Sequence, residues 1–401
     1  MQFKPEDRLI LSGIKINPTA GDLEKINSLI PQIRNWNYLV KNVIDRGIAP
    51  LLYKKLPLLT NSSLIPEPVR IKLQQAYYIT FNRSSILHEH FRKIAEQFTQ
   101  QNIPVIALKG IYLSEWLYHD IGLRQFSDID LLVKDEDAST CLAILEAMGY
   151  RHSGNPRIEI SEFIDAQLKL YEKTVEFAHY EPEILNGVSV EIHIKLFTES
   201  EGYDLNLDEI WKNAIPTVLN GIPVFTLGTY DLLIYLCLHL DKHFRQGRVQ
   251  FTCFNDITNL LVKYSDTLDW AIFTETCRKY KCVDIVFPYF VLVHKYMNIS
   301  VPDYIITKYG SLLTDSYENI FYRNLKGCAC FISTRSVSVH LESLKHLSGF
   351  PDKTKYVLKV FFPPKTYMVQ KYDIKPGSSV MVYYLYRFYI GVKKILFYIK
   401  R

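Results

Sequence analysis

The stretch "FSDIDLLV", residues 126–133, constrains the fold most, because it sets Asp128 and Asp130 inside an apolar run of strand character. Side chains alternate across a strand, so Ser127, Ile129, Leu131 and Val133 share one face while Asp128 and Asp130 share the other. Residues two apart on a strand lie roughly 6.5–7 Å apart at Cα, which lets both carboxylates converge on one point. Like charges at about that separation repel by a few kcal/mol at an effective dielectric of roughly 20. A cation between them relieves the repulsion. Magnesium is the natural candidate, since it prefers oxygen ligands and commonly combines one or two carboxylates with substrate phosphates.

A second segment repeats the alternation. In "GVSVEIHIKLF", residues 187–197, Val188, Val190, Ile192 and Ile194 face one way, and Ser189, Glu191, His193 and Lys195 face the other. If this strand pairs beside the first, Asp128, Asp130 and Glu191 meet on one face of one sheet. Three such acids suit metal ions clamping a phosphoryl displacement, with one carboxylate placed to take a proton from an attacking hydroxyl. His193 shares the face of Glu191 and can hydrogen-bond to it or to a substrate. Upstream, the apolar run "IPVIAL" ends at Lys109-Gly110, where a strand hands over to the helix-like "IYLSEWLY". Glycine there permits close backbone approach, a helix N-terminus favours anions, and Lys109 adds positive charge. Arg124, four residues before Asp128, either contacts a triphosphate or braces the loop.

Taken together, "LKG…R…DIDLLV…VEIH" resembles the bacterial nucleotidyltransferase-like proteins of the DNA polymerase β superfamily. The similarity extends to "LLIYLCLHLDKHFRQGRVQFTCFNDITNLL" and to the C-terminal tail, covering residues 30–395. The resemblance implies an α+β fold, with a polymerase-β-like core of small mixed sheet and flanking helices embedded between N-terminal and C-terminal helical regions. It implies Asp128 and Asp130 as metal ligands, Glu191 as the third catalytic carboxylate, and Gly110 as part of a phosphate turn. Lys109, Arg124 and His193 complete the nucleotide-binding set. The implied reaction is magnesium- or manganese-dependent transfer of a nucleoside monophosphate from a nucleoside triphosphate such as ATP to an acceptor hydroxyl. The acceptor is a small molecule, sugar, peptide, protein or RNA. One departure is plain: the turn reads Lys-Gly where the superfamily usually has Gly-Gly or Gly-Ser, and Gly110 stands 18 residues before Asp128. Two rival readings are a catalytically silent, antitoxin-like module that binds a nucleotide or a partner, and an enzyme that modifies nucleic acid.

Periodicity divides the 401 residues into a helical region over 1–100, the nucleotidyltransferase α/β core over 101–226, and a helical domain over 227–401. Within the core, "KTVEFAHY" and residues 187–197 read as strands joined by the connection "EPEILN". A net charge of +5 permits an anionic ligand but does not by itself argue for nucleic acid. Seven scattered cysteines, an odd number, define no disulfide framework and favour a reducing compartment. The N-terminus has no signal-like apolar segment, and no apolar stretch is long enough to span a bilayer, so a cytoplasmic protein is expected.

Other metal motifs are weaker. His239 and His243 share a helix face, but Leu240 stands where a zincin needs glutamate. That polar face, with Lys242 and Asp256, is expected to look towards the cleft or to be hydrogen-bonded within the helical bundle. Cys328 and Cys330 have no second pair at finger-like spacing. In "YYLYRFYIGVKKILFYIKR", Arg387, Lys394 and Arg401 stand seven apart, with Lys393 and Lys400 adjacent. The expectation is a terminal helix packed on the bundle with a solvated basic edge, the alternative a peripheral contact with membrane or nucleic acid.

Overall fold

The structure, a computed structural model, describes residues 3–152, 174–179, 187–197, 205–244, 251–326, 349–363 and 379–399, together with 203, 344, 365 and 368. Two compact units divide the chain, each assembled from three stretches. One comprises Met1–Glu89, Lys109–Ser127 and Leu227–Cys330; the other comprises His90–Leu108, Asp128–Thr226 and Phe331–Arg401.

The first unit is helical among its described residues. Its helices start where side chains can satisfy free backbone N–H groups: Thr19 and Asp22 cap each other's backbone at Ala20–Leu29, and Asp269 accepts from Ala271 and Ile272 at Trp270–Lys279. Apolar stripes on Thr229–Phe244, Phe251–Lys263 and Val283–Met297 meet around fully buried Phe254, Phe287, Phe290 and Phe321. Each such ring buries a large apolar area.

The second unit carries the sheet. Strands β1 (Ile106–Ala107), β2 (Asp128–Leu132), β3 (Arg151–His152), β4 (Thr174–His179), β5 (Val188–His193), β6 (Ile215–Leu219) and β7 (Ile222–Thr226) run in the order β3-β4-β5-β2-β1-β7-β6. The sheet is mixed: β2 pairs parallel with β5 and antiparallel with β1, and β1 pairs parallel with β7. Ile129, Leu131, Val188, Val190 and Ile192 are buried, which fixes the register, because a one-residue slip would send each of them to the opposite face. The helix Asp135–Ala147 follows β2, with three acids in its first turn, where the dipole favours them. The architecture is therefore α+β, a mixed sheet with flanking helices.

Two details bear on the sequence reading. Strands β4 and β5 pair antiparallel, from Thr174 opposite His193 to His179 opposite Val188; their connection "EPEILN" lies outside the described residues. The hairpin β6–β7 is an addition to the strands read from sequence. It turns on Asn220 and Gly221, both in the left-handed region at φ 49° and 78°, as a tight Asn-Gly hairpin turn requires.

Candidate active site

Neighbouring strands β2 and β5 bring the acids together. In their parallel register Asp128 is partnered by Ser189, Asp130 by Glu191 and Leu132 by His193. Partner residues on adjacent strands share a face, so Asp130 and Glu191 project side by side. His193, two residues beyond Glu191, projects from the same face. Its Nε2 lies 3.0 Å from Asp130 Oδ1 and 3.3 Å from Glu191 Oε2.

One ligand atom from each of Asp130, Glu191 and His193 falls within 4.8 Å of the others. Burial grades across the group: the side chain of Asp130 is 1 % exposed and that of Glu191 21 %. A carboxylate as enclosed as Asp130 is costly without a partner, and His193 supplies one. Among the described residues this is the group of three or more potential ligands that a metal ion could join. Its two carboxylates suit a hard divalent cation such as magnesium or manganese, and its imidazole adds a nitrogen donor. Asp128 is not one of these three. It is half-buried at the start of β2, on the face of Asp130, with Ser189 and not an acid as its register partner.

The expected phosphate residues lie in the helical unit. At the end of β1, the Leu108 N–H donates to the Asp130 carbonyl at 3.0 Å. The chain then turns into the helix Lys109–Trp116. The residue in the left-handed region is Lys109, at φ 41°. For a side chain with a Cβ this costs about 1–2 kcal/mol, and such cost concentrates at functional turns. Gly110 is needed for a different reason: a Cβ there would meet three atoms of Phe126 at 2.6–2.8 Å. The glycine thus makes room for an aromatic ring from the loop that leads into β2. The Lys109 ammonium lies 5.9 Å from the Tyr235 ring centroid.

Arg124 pairs with a buried acid. Its Nε donates to Asp256 Oδ1 at 2.9 Å and its Nη2 to Asp256 Oδ2 at 2.7 Å, a two-pronged pairing with both side chains buried. The Tyr118 hydroxyl donates to the same Oδ1 at 2.9 Å. Burial pulls the Arg124 pKa down, but the Asp256 charge outweighs it and holds the guanidinium above its ordinary value. Burial, then Asp256, pushes the Tyr118 hydroxyl well up. The sequence reading missed this triad because Arg124 and Asp256 are 132 residues apart. The histidine pair shares a face, with ring centroids 4.8 Å apart, and the Cys253 sulfur lies 3.7 Å from His239 Nδ1. Cys328 and Cys330 lie outside the described residues.

An acidic cluster on adjacent strands of a mixed sheet flanked by helices is the arrangement of a nucleotidyltransferase core. The chain belongs to the family described as "Uncharacterised nucleotidyltransferase", whose family model matches residues 33–298, more than half of the protein and all of Lys109, Gly110, Arg124, Asp128, Asp130, Glu191 and His193. The matched stretch ends well short of the C-terminal tail. No curated protein and no solved structure matches the chain. No helix among the described residues is long and apolar enough to cross a membrane.

Proposed function

We propose that the protein transfers a nucleoside monophosphate from a nucleoside triphosphate to an acceptor hydroxyl, using Asp130, Glu191 and Asp128. The observation that carries this reading is the register of β2 on β5, which makes Asp130 and Glu191 partner residues on one face. Asp130 and Glu191, with Asp128 on the same face, would hold a divalent cation, magnesium or manganese. Such an ion, when bound, neutralises charge on the transferring phosphoryl group and the departing pyrophosphate. Glu191, the more open carboxylate, is the group assigned to accept the proton of the attacking hydroxyl. The acceptor oxygen bonds to the α-phosphorus, the bond from that phosphorus to the bridging oxygen breaks, and pyrophosphate leaves.

His193 has a positioning role in this scheme. Its Nε2, within reach of both carboxylates, would keep their spacing fixed, and the same ring is assigned to meet the nucleotide. Lys109 and Gly110, which follow Leu108 in the chain, are assigned to steady the phosphates. The strained backbone of Lys109 supports that assignment. Arg124 is assigned to order the loop before β2 through Asp256.

The test is incubation of the purified chain with magnesium or manganese, α-labelled triphosphates and a panel of small molecules, sugars, peptides, proteins and RNA. Label should pass to an acceptor only with metal present. Asp130→Asn and Glu191→Gln should each lower turnover by about 100-fold or more. Equal metal–nucleotide binding by the wild type and both variants, or binding by none, would overturn the assignment.

A further inference from the structure

Charge is distributed unevenly along this chain. Residues 349–401 contain 11 Lys and Arg against Asp352 and Asp373, a net +9, while the whole protein is only +5. The remaining residues therefore carry a net −4, and the positive charge is concentrated in the tail. Such asymmetry points to an anionic partner for the tail.

The described part of this segment is a pair of helices, Phe350–Phe361 and Val380–Ile399. They are fastened to each other on one side. Arg387 donates from Nε and Nη2 to the Val360 carbonyl at 3.0 and 2.7 Å, and Phe361 packs on Phe388 with centroids 5.4 Å apart. Gly391 permits the approach, since a Cβ there would lie 2.6 Å from the Phe361 ring. Tyr384 adds a hydrogen bond to the Pro363 carbonyl.

Large apolar side chains of the pair nevertheless remain open. Met381, Leu385 and Tyr389 recur every four residues and are 67 %, 65 % and 60 % exposed; Phe350 and Leu358 on the companion helix are 83 % and 54 % exposed. An i, i+4 stripe of that size normally faces a core. Here it lies among exposed lysines, including Lys355 and Lys393. An apolar stripe with aromatic rings and a rim of lysines matches the interface of an anionic bilayer, where rings sit at headgroup depth and cations meet lipid phosphates.

We infer that the helix pair Phe350–Phe361 and Val380–Ile399 is a membrane-surface anchor that lies flat on bilayers rich in anionic lipid. It does not span them: the longer helix carries Arg387, Lys393 and Lys394 and fails the requirements for crossing. The anchor lies outside the family-matched residues 33–298 and does not depend on the nucleotidyl-transfer reading.

The experiment is flotation of the full chain with vesicles of phosphatidylcholine alone or mixed with phosphatidylglycerol. Binding should require phosphatidylglycerol and weaken as salt rises. Two double variants probe the two halves of the surface: Leu385→Glu with Tyr389→Glu for the apolar stripe, and Lys355→Glu with Lys393→Glu for the rim. Each should lower partitioning at least about tenfold, with the wild-type far-ultraviolet spectrum retained. Equal binding to neutral vesicles, or none to either kind, would overturn the inference. So would salt-sensitive RNA binding, or self-association lost in the Leu385 variant, without vesicle binding.

Discussion

Asp130 and Lys109 show what single residues contribute and what they cost. Asp130 is almost wholly enclosed, and the His193 imidazole 3.0 Å away offsets part of its lost hydration. Lys109 holds a left-handed backbone that glycine would adopt without strain. Lys109→Gly is therefore expected to leave the melting temperature unchanged or slightly higher, by no more than about 1 kcal/mol of stability. If the lysine steadies phosphates, the same variant should bind triphosphate more weakly, as titration calorimetry would show. Lower stability together with unchanged affinity would make Lys109 a structural residue. Arg124 gives the opposite signature. Arg124→Met would leave the Asp256 carboxylate buried without its cation, so a loss of about 3–5 kcal/mol is expected in denaturant unfolding.

At the level of elements, the acid-bearing strands were legible because their signal is local. The alternation in "FSDIDLLV" and "GVSVEIHIKLF" states which side chains share a face, and β2 and β5 follow it residue by residue. The cluster itself was less legible. Its tight members are Asp130, Glu191 and His193, and that choice depends on an inter-strand register that neither segment encodes alone. The Asn220-Gly221 turn of β6–β7 was readable from its dipeptide, yet Pro216 and Pro223 inside the flanking runs weaken their strand signal. The missing Cβ of Gly110 also makes room for the Phe126 ring, a contact 16 positions along the chain that spacing cannot show. Gly110→Ala should accordingly lower stability by about 1–3 kcal/mol through overpacking. Pairing it with Phe126→Leu should recover part of that loss. No recovery would point to the backbone of the turn and away from the ring.

On the scale of the whole molecule, each unit can be probed through a buried charge of its own. In the helical unit, Lys55 donates to the carbonyls of Gly13 at 3.0 Å and Leu51 at 3.1 Å, and burial pushes its ammonium down from 10.5 to about 7. Between those two values the unfolded chain binds the proton that the folded one has released. Unfolding free energy from this group therefore rises with pH across that window, by up to about 1.4 kcal/mol per unit, and falls as pH drops towards 7. Lys55→Met should flatten that slope in denaturant titrations at a series of pH values; an unchanged slope would show that another group sets it. In the sheet unit the proposed transfer depends on one junction, where Asp130 of β2 meets Glu191 of β5. The most direct test is anomalous diffraction from crystals of the protein grown with manganese and a non-hydrolysable triphosphate. A manganese peak bonded to oxygens of both Asp130 and Glu191 is expected, with the nucleotide phosphates completing its coordination. Manganese bound elsewhere, or a nucleotide held with neither carboxylate as ligand, would contradict it.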